Sequence, residues 1–156
     1  MNIFLLSLDA QECAELACNK HIIKQILESA QLLCSQFQPG AAPYKRTHYN
    51  HPCSIWTRQS KQNFEWLLDY SYCLLNEYTF RYEKIHKSKT VIDWCKNNYK
   101  KLKLPNIGLT EHPQCFGDYK HLICPGDPVK GYRNYYIQAK SHLKSYKNRE
   151  VPKWFK

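Results

Sequence analysis

A chain of 156 residues with 43% hydrophobic and 14% aromatic side chains can bury one real core over 1–156, and with five glycines it does not read as ribosome-like disorder. Its net charge of +10 is regional: residues 1–43 hold Lys20 and Lys24 against Asp9, Glu12, Glu15 and Glu28, and the remainder carries 21 bases against 9 acids, which points to an extended anionic partner. No apolar run is long enough to span a bilayer, and no Gly-rich phosphate loop, G-x-S-x-G or H-E-x-x-H motif occurs, which argues against membrane proteins, nucleotide triphosphatases, common hydrolases and zinc proteases.

Asn2 to Leu8 reads as a short buried strand or extended segment, lacking the basic start of a signal peptide. Asp9 with Glu12 three residues later forms a capping box that opens a first short helix. Asn19 allows a break before a long helix of about residues 20–37, which Gln38-Pro39-Gly40 ends. Its apolar arc contains Ile23, Ile26, Leu27, Ala30, Leu33, Cys34 and Phe37, and its polar direction contains His21, Lys24, Gln25, Glu28 and Gln31. His51-Pro52 starts a second helical region, and Ser60 caps the next helix, expected to be central, reaching about His86 with Phe64, Leu67, Leu68, Leu74, Leu75, Tyr78, Tyr82 and Ile85 inward. Ser88 or Thr90 starts a further helix with Val91, Ile92, Cys95, Tyr99 and Leu102 inward, stopped by Pro105. Prolines and glycines deny regular structure to residues 104–126. Asp127-Pro128 then starts a last helix with Val129, Tyr132, Tyr136, Ala139, Leu143 and Tyr146 on one stripe, before an aromatic tail, Trp154-Phe155, that docks back. The expected fold is mostly α, one compact helical domain with a short N-terminal strand or extended segment.

The eight cysteines include no C-x-x-C pair, and Cys34, Cys73 and Cys95 fall on or beside apolar helix faces, where a free thiol acts as a small hydrophobe. A reduced intracellular compartment is expected: the cytoplasm, or a host's cytoplasm or nucleoid if the protein is viral.

Three groupings bear on chemistry. Glu28, with His21 and Lys24 nearby, is either half of an ordinary i,i+4 pair or a carboxylate in a cleft; in the second case it suits the cation-like sugar that forms as a nucleobase departs. Two basic runs, Lys84–Lys103 and Pro128–Lys156, interleave aromatics as a nucleic-acid groove requires. Lys20, Lys24, Arg46, His48, His51, Arg58, Arg133, Tyr135 and Lys140 are the contact candidates, the last run's Arg133, Tyr135 and Lys140 because they fall off the core stripe. The stretch His48-x-Asn50-His51-x-Cys53 matches no standard zinc spacing and reads as a pocket wall or a structural turn.

The opening segment followed by a helix carrying His21-x6-Glu28 resembles the pyrimidine-dimer DNA glycosylase family of phage endonuclease V. The helix ending in Glu77 and Arg81, and the cluster Tyr132-Arg133-Asn134-Tyr135-Tyr136, extend the likeness. The chain also looks like a set of small viral and bacterial proteins with H-P-C-x-x-W, Y-R-x-Y-Y and R-E-x-P-x-W signatures. The first resemblance implies a small basic helical enzyme that flips a base from duplex DNA, uses a helix-borne glutamate and attacks the sugar through its terminal amine, with no metal or cofactor. Glu28 takes the glutamate's place. That family exposes a Thr amine after Met removal; Asn2 is too large for ordinary removal, so here the amine belongs to Met1, and strand nicking by a lyase step is not carried over. The expected function is a base-excision glycosylase for damaged or modified bases with Glu28, Met1 and His21 at its centre. Competing readings are a non-catalytic viral protein that binds nucleic acid or an acidic partner, and an enzyme that cleaves or transfers the base of a small nucleotide.

Overall fold

Side-chain caps set most of the helix starts in the computed structural model, which describes residues 1–156. Helix α1 (Ala10–Glu15) begins where Asp9 Oδ1 accepts the Glu12 amide at 2.7 Å. The reciprocal half of the capping box is routed through Ser7: its hydroxyl donates to the Glu12 carboxylate and accepts the Asp9 amide. Helix α2 (Asn19–Cys34) has no side-chain cap, and it stops three residues earlier than its pattern predicts. Arg46 closes it by donating to the carbonyls of Ser35 (3.1 Å) and Phe37 (2.5 Å). Helix α3 (Pro52–Gln59) carries Pro52 in its first turn and His51 as its cap. Helix α4 (Lys61–Tyr82) starts at Ser60, whose hydroxyl accepts the Asn63 amide at 3.0 Å.

The end of α4 corrects the sequence reading. Glu83 turns left-handed at φ 54°, so the helix finishes before His86 and Ile85 is 75% exposed rather than inward. Helix α5 (Lys89–Asn98) also ends early, one 3-10 turn continuing to Lys101 ahead of Pro105. Helix α6 (Pro128–Ala139) starts as expected, with Asp127 Oδ1 accepting the Lys130 amide at 3.0 Å.

Helix α4 is central and packs against α1, α2, α3 and α5, burying Phe64, Leu67 and Leu74 completely. The core is one continuous cluster. Helix α6 packs instead on 3-10 turns at Gly117–Leu122, Ser141–Leu143 and Lys153–Phe155; the aromatic tail does dock, with Phe155 buried against Tyr136.

Residues 2–8 are extended and pair with no strand. Their backbone groups are satisfied by side chains drawn from across the molecule. Glu28, Asn2, Gln25 and Cys13 accept the amides of Asn2, Ile3, Phe4 and Leu6. His112 meets the Ile3 carbonyl, and Arg133 and Trp66 donate to those of Leu6 and Leu8.

This threading corrects the α2 wheel. Ile23 and Leu27, assigned to the core arc, are 44% and 40% exposed, whereas His21, Gln25 and Glu28 are buried. The helix turns its polar residues inward because the N-terminal segment needs their acceptors. On the far side of the core, Arg81 is wholly buried and donates to Glu77 (2.7 Å) and to the carbonyls of Ala17 and Glu15, and Arg149 of the tail reaches the same carboxylate at 2.9 Å. Burial alone would raise the Glu77 pKa, but Arg149 and Arg81 hold it below the usual carboxylate range. No helix is long and apolar enough to cross a membrane.

Candidate active site at the start of the chain

Glu28 is 7% exposed and its two oxygens face different partners. Oε2 accepts the Asn2 amide at 3.0 Å and the Gln25 side-chain amide at 2.9 Å. Oε1 lies 3.9 Å from the Met1 amine and 3.6 Å from Lys24 Nζ. Two fixed donors thus orient the carboxylate, and its free edge looks at an amine and an exposed lysine.

Asn2 fixes the approach of the first residue. Its Nδ2 donates to the Cys115 carbonyl at 2.8 Å, and its Oδ1 lies 2.7 Å from the Tyr132 hydroxyl, which also accepts the Cys115 amide. Met1 therefore sits where α2, the start of α3 and the irregular 104–126 segment converge. An open cleft of about 390 Å³ adjoins it, lined by Met1, His51, Cys115, Phe116, Lys120 and Ile123 among others.

The other residues named from the sequence distribute unevenly. His21 is buried, stacked on Phe4 (ring centroids 4.1 Å apart) with Nδ1 2.5 Å from the Tyr136 hydroxyl. Burial, with Lys140, Lys24 and His142 nearby, pushes its pKa down to about 3, so it is neutral and braces the aromatic layer behind Glu28. Lys20 and Lys24 lie on the exposed stripe of α2. Arg46 and Arg58 sandwich the Tyr49 ring at 4.2 and 3.9 Å, Arg58 also donating to the Tyr49 carbonyl. His48 is exposed beside this sandwich, with φ 49°. His51 caps α3, its Nδ1 accepting the Cys53 amide at 3.2 Å, and lines the cleft.

Tyr135 is half-buried and stacks on Phe116 (4.8 Å), a wall of the cleft, with Lys140 Nζ 5.2 Å from its ring. Arg133 is tied to the Leu6 carbonyl and lies over Trp154, which makes it a brace for the N-terminal segment.

Three positions escaped the sequence reading of the site. Gln25 lies on the polar direction of α2, where nothing in the pattern marks it as the partner of Glu28. Asn2 and Tyr132 carried no local signal, because their partners lie 26 and 130 residues away. A fourth feature needed the fold: Cys115 brings its sulfur to 3.9 Å from that of Cys53, and with a ring nitrogen of His51 the three potential ligand atoms lie within 4.8 Å of one another.

A family model described as pyrimidine dimer DNA glycosylase matches residues 1–91, which run from the extended segment through α4 into α5 and include Met1, Glu28 and the Arg46–Tyr49–Arg58 sandwich. Searches of curated proteins and of solved structures returned no match. With more than half of its length aligned to that model, the chain belongs to the pyrimidine dimer DNA glycosylase family.

Proposed function

We propose that the protein excises a damaged or modified base from double-stranded DNA, with Glu28 and the Met1 amine as the reacting groups. The observation that carries the reading is the 3.9 Å approach of that amine to a carboxylate already oriented by Asn2 and Gln25. The amine nitrogen attacks C1′ of the flipped nucleotide while the N-glycosidic bond breaks and the base leaves, taking a proton. Glu28, 3.9 Å from the amine, offsets the positive charge that develops on the sugar. The second amine proton then passes to the ring oxygen O4′ as the C1′–O4′ bond breaks, giving an imine that borohydride reduces to a stable adduct.

Lys24 at the free edge of Glu28, Lys120 in the cleft and the guanidiniums of Arg46 and Arg58 supply the positive surface that phosphates require. Tyr49, 37% exposed, holds these two guanidiniums against its ring at the surface.

Glu28→Gln keeps the two orienting donors within reach but removes the charge. The expected outcome is unchanged folding and duplex binding at least as tight as in the wild type, with base release reduced by about 10²–10⁴-fold. Wild-type base release in that variant overturns the assignment. Borohydride trapping on damaged or hypermodified duplexes reports the nucleophile: an adduct mapped to Met1 supports the amine, whereas free base without an adduct points to activated water. Two residues added ahead of Met1 abolish the adduct if the amine reacts.

A further inference from the structure

We propose that His51, Cys53 and Cys115 form a binding site for one zinc ion, which staples the irregular 104–126 segment to the start of α3 beside Met1. Three facts converge. The sulfurs of Cys53 and Cys115 stand 3.9 Å apart, far beyond a disulfide bond and close to the edge of about 3.8 Å that two thiolates span around tetrahedral zinc. A His51 ring nitrogen completes a three-ligand set within 4.8 Å, a combination the chain shows nowhere else; the comparable sulfur pair Cys34 and Cys95, 3.6 Å apart, has no third ligand. A cleft touches His51 and Cys115, so water can reach the triad as a fourth ligand.

The charge balance suits a thiophilic dication. Lys120 and the Met1 amine are the positive groups facing the cleft, and two thiolates offset the ion locally. Binding releases the two thiol protons, Zn²⁺ replacing them on sulfur, and exchanges the 3.2 Å contact between His51 Nδ1 and the Cys53 amide for a metal bond if that nitrogen is the ligand. The segment that gains forms no helix or strand between Leu104 and Phe116, and the Cys115 backbone is held by Asn2 and Tyr132 alone.

The test is independent of base excision and uses the reduced, chelator-stripped full chain. Zinc titration against a chromophoric competitor gives one ion per chain. Cobalt substitution gives thiolate-to-metal absorption in the near ultraviolet and the visible bands of a four-coordinate ion. The thermal midpoint rises with zinc and is unmoved by magnesium. Cys53→Ser and Cys115→Ser each cut the thiolate absorption to about half or less and bind zinc at least about 100-fold more weakly, more than loss of an outer-shell partner costs, while Cys73→Ser retains both.

Should the serine variants fail to fold, mass-spectrometric mapping of alkylation in the wild type answers instead: zinc shields Cys115 and leaves Cys124 reactive. Absence of cobalt–thiolate absorption in the wild type, its persistence at undiminished strength in Cys115→Ser, or a Cys53–Cys115 disulfide in place of bound metal overturns the proposal.

Discussion

Gln25 and Asn2 decide whether Glu28 is a poised carboxylate or a mobile one. Each contributes one donor to Oε2, so the opposite oxygen is the one presented to the Met1 amine. Gln25→Leu preserves volume and the helix but removes one of the two bonds. Base release is expected to fall by at least about tenfold, the equivalent of about 1.4 kcal/mol in the barrier, with duplex affinity unchanged, as single-turnover assays and binding isotherms can establish. Tyr132→Phe acts on the same geometry from the other side, freeing the Asn2 carbonyl that its hydroxyl holds. His21 gives a different observable. Its folded pKa of about 3 lies below the ordinary 6.5, so between those values the unfolded chain binds more protons. Its contribution to stability is complete above about pH 6.5 and is lost as pH falls toward 3. Urea midpoints should therefore drop between pH 7.5 and pH 4.5, and His21→Phe should flatten that drop even if it lowers the midpoint at neutral pH.

At the scale of elements, what was legible in the sequence was whatever rests on local chemistry. Ser60, Asp127 and Pro128 mark helix starts because a cap needs only the next three residues. Glu28 stood out because it shares a helix face with His21 and Lys24. What was not legible depended on partners distant in the chain. The wheel of α2 put Ile23 and Leu27 inside because apolar residues usually face the core, and here an extended segment without a sheet claims the polar arc instead. The tail was expected to dock through its aromatics, but Arg149 adds a charge to the buried Glu77–Arg81 pair that no periodicity reveals. That cluster sets a prediction for α4. Glu77→Ala leaves Arg81, which is wholly buried, without its carboxylate and should cost about 3–5 kcal/mol in chemical denaturation. Arg149→Ala should cost clearly less, since the Arg81 bond to Glu77 remains and the Arg149 side chain is 31% exposed.

Over the whole molecule, the family match ends at residue 91, yet the surroundings of Glu28 are completed from beyond it. Tyr132 and Cys115 lock residue 2, His112 and Arg133 hold the extended segment, and Tyr135 backs the cleft through Phe116. The C-terminal part thus holds the N-terminal segment of a family-typical first half in place. A DNA substrate makes the positive surface measurable. Each phosphate neutralised releases condensed counterions, so the logarithm of the binding constant falls linearly with the logarithm of salt, with a slope of about −0.9 per contact on duplex DNA. Lys24 is 69% exposed at the free edge of Glu28, and Arg58 flanks Tyr49 on the neighbouring loop. Lys24→Ala and Arg58→Ala should each reduce the slope by about one, whatever the DNA sequence. Glu28→Gln removes a negative charge from the same edge without adding a contact, so it should leave the slope unchanged and raise affinity slightly. Binding isotherms across a salt series on a plain duplex distinguish these outcomes. If neither basic variant moves the slope, DNA does not approach the molecule from the side where its first residue meets α2.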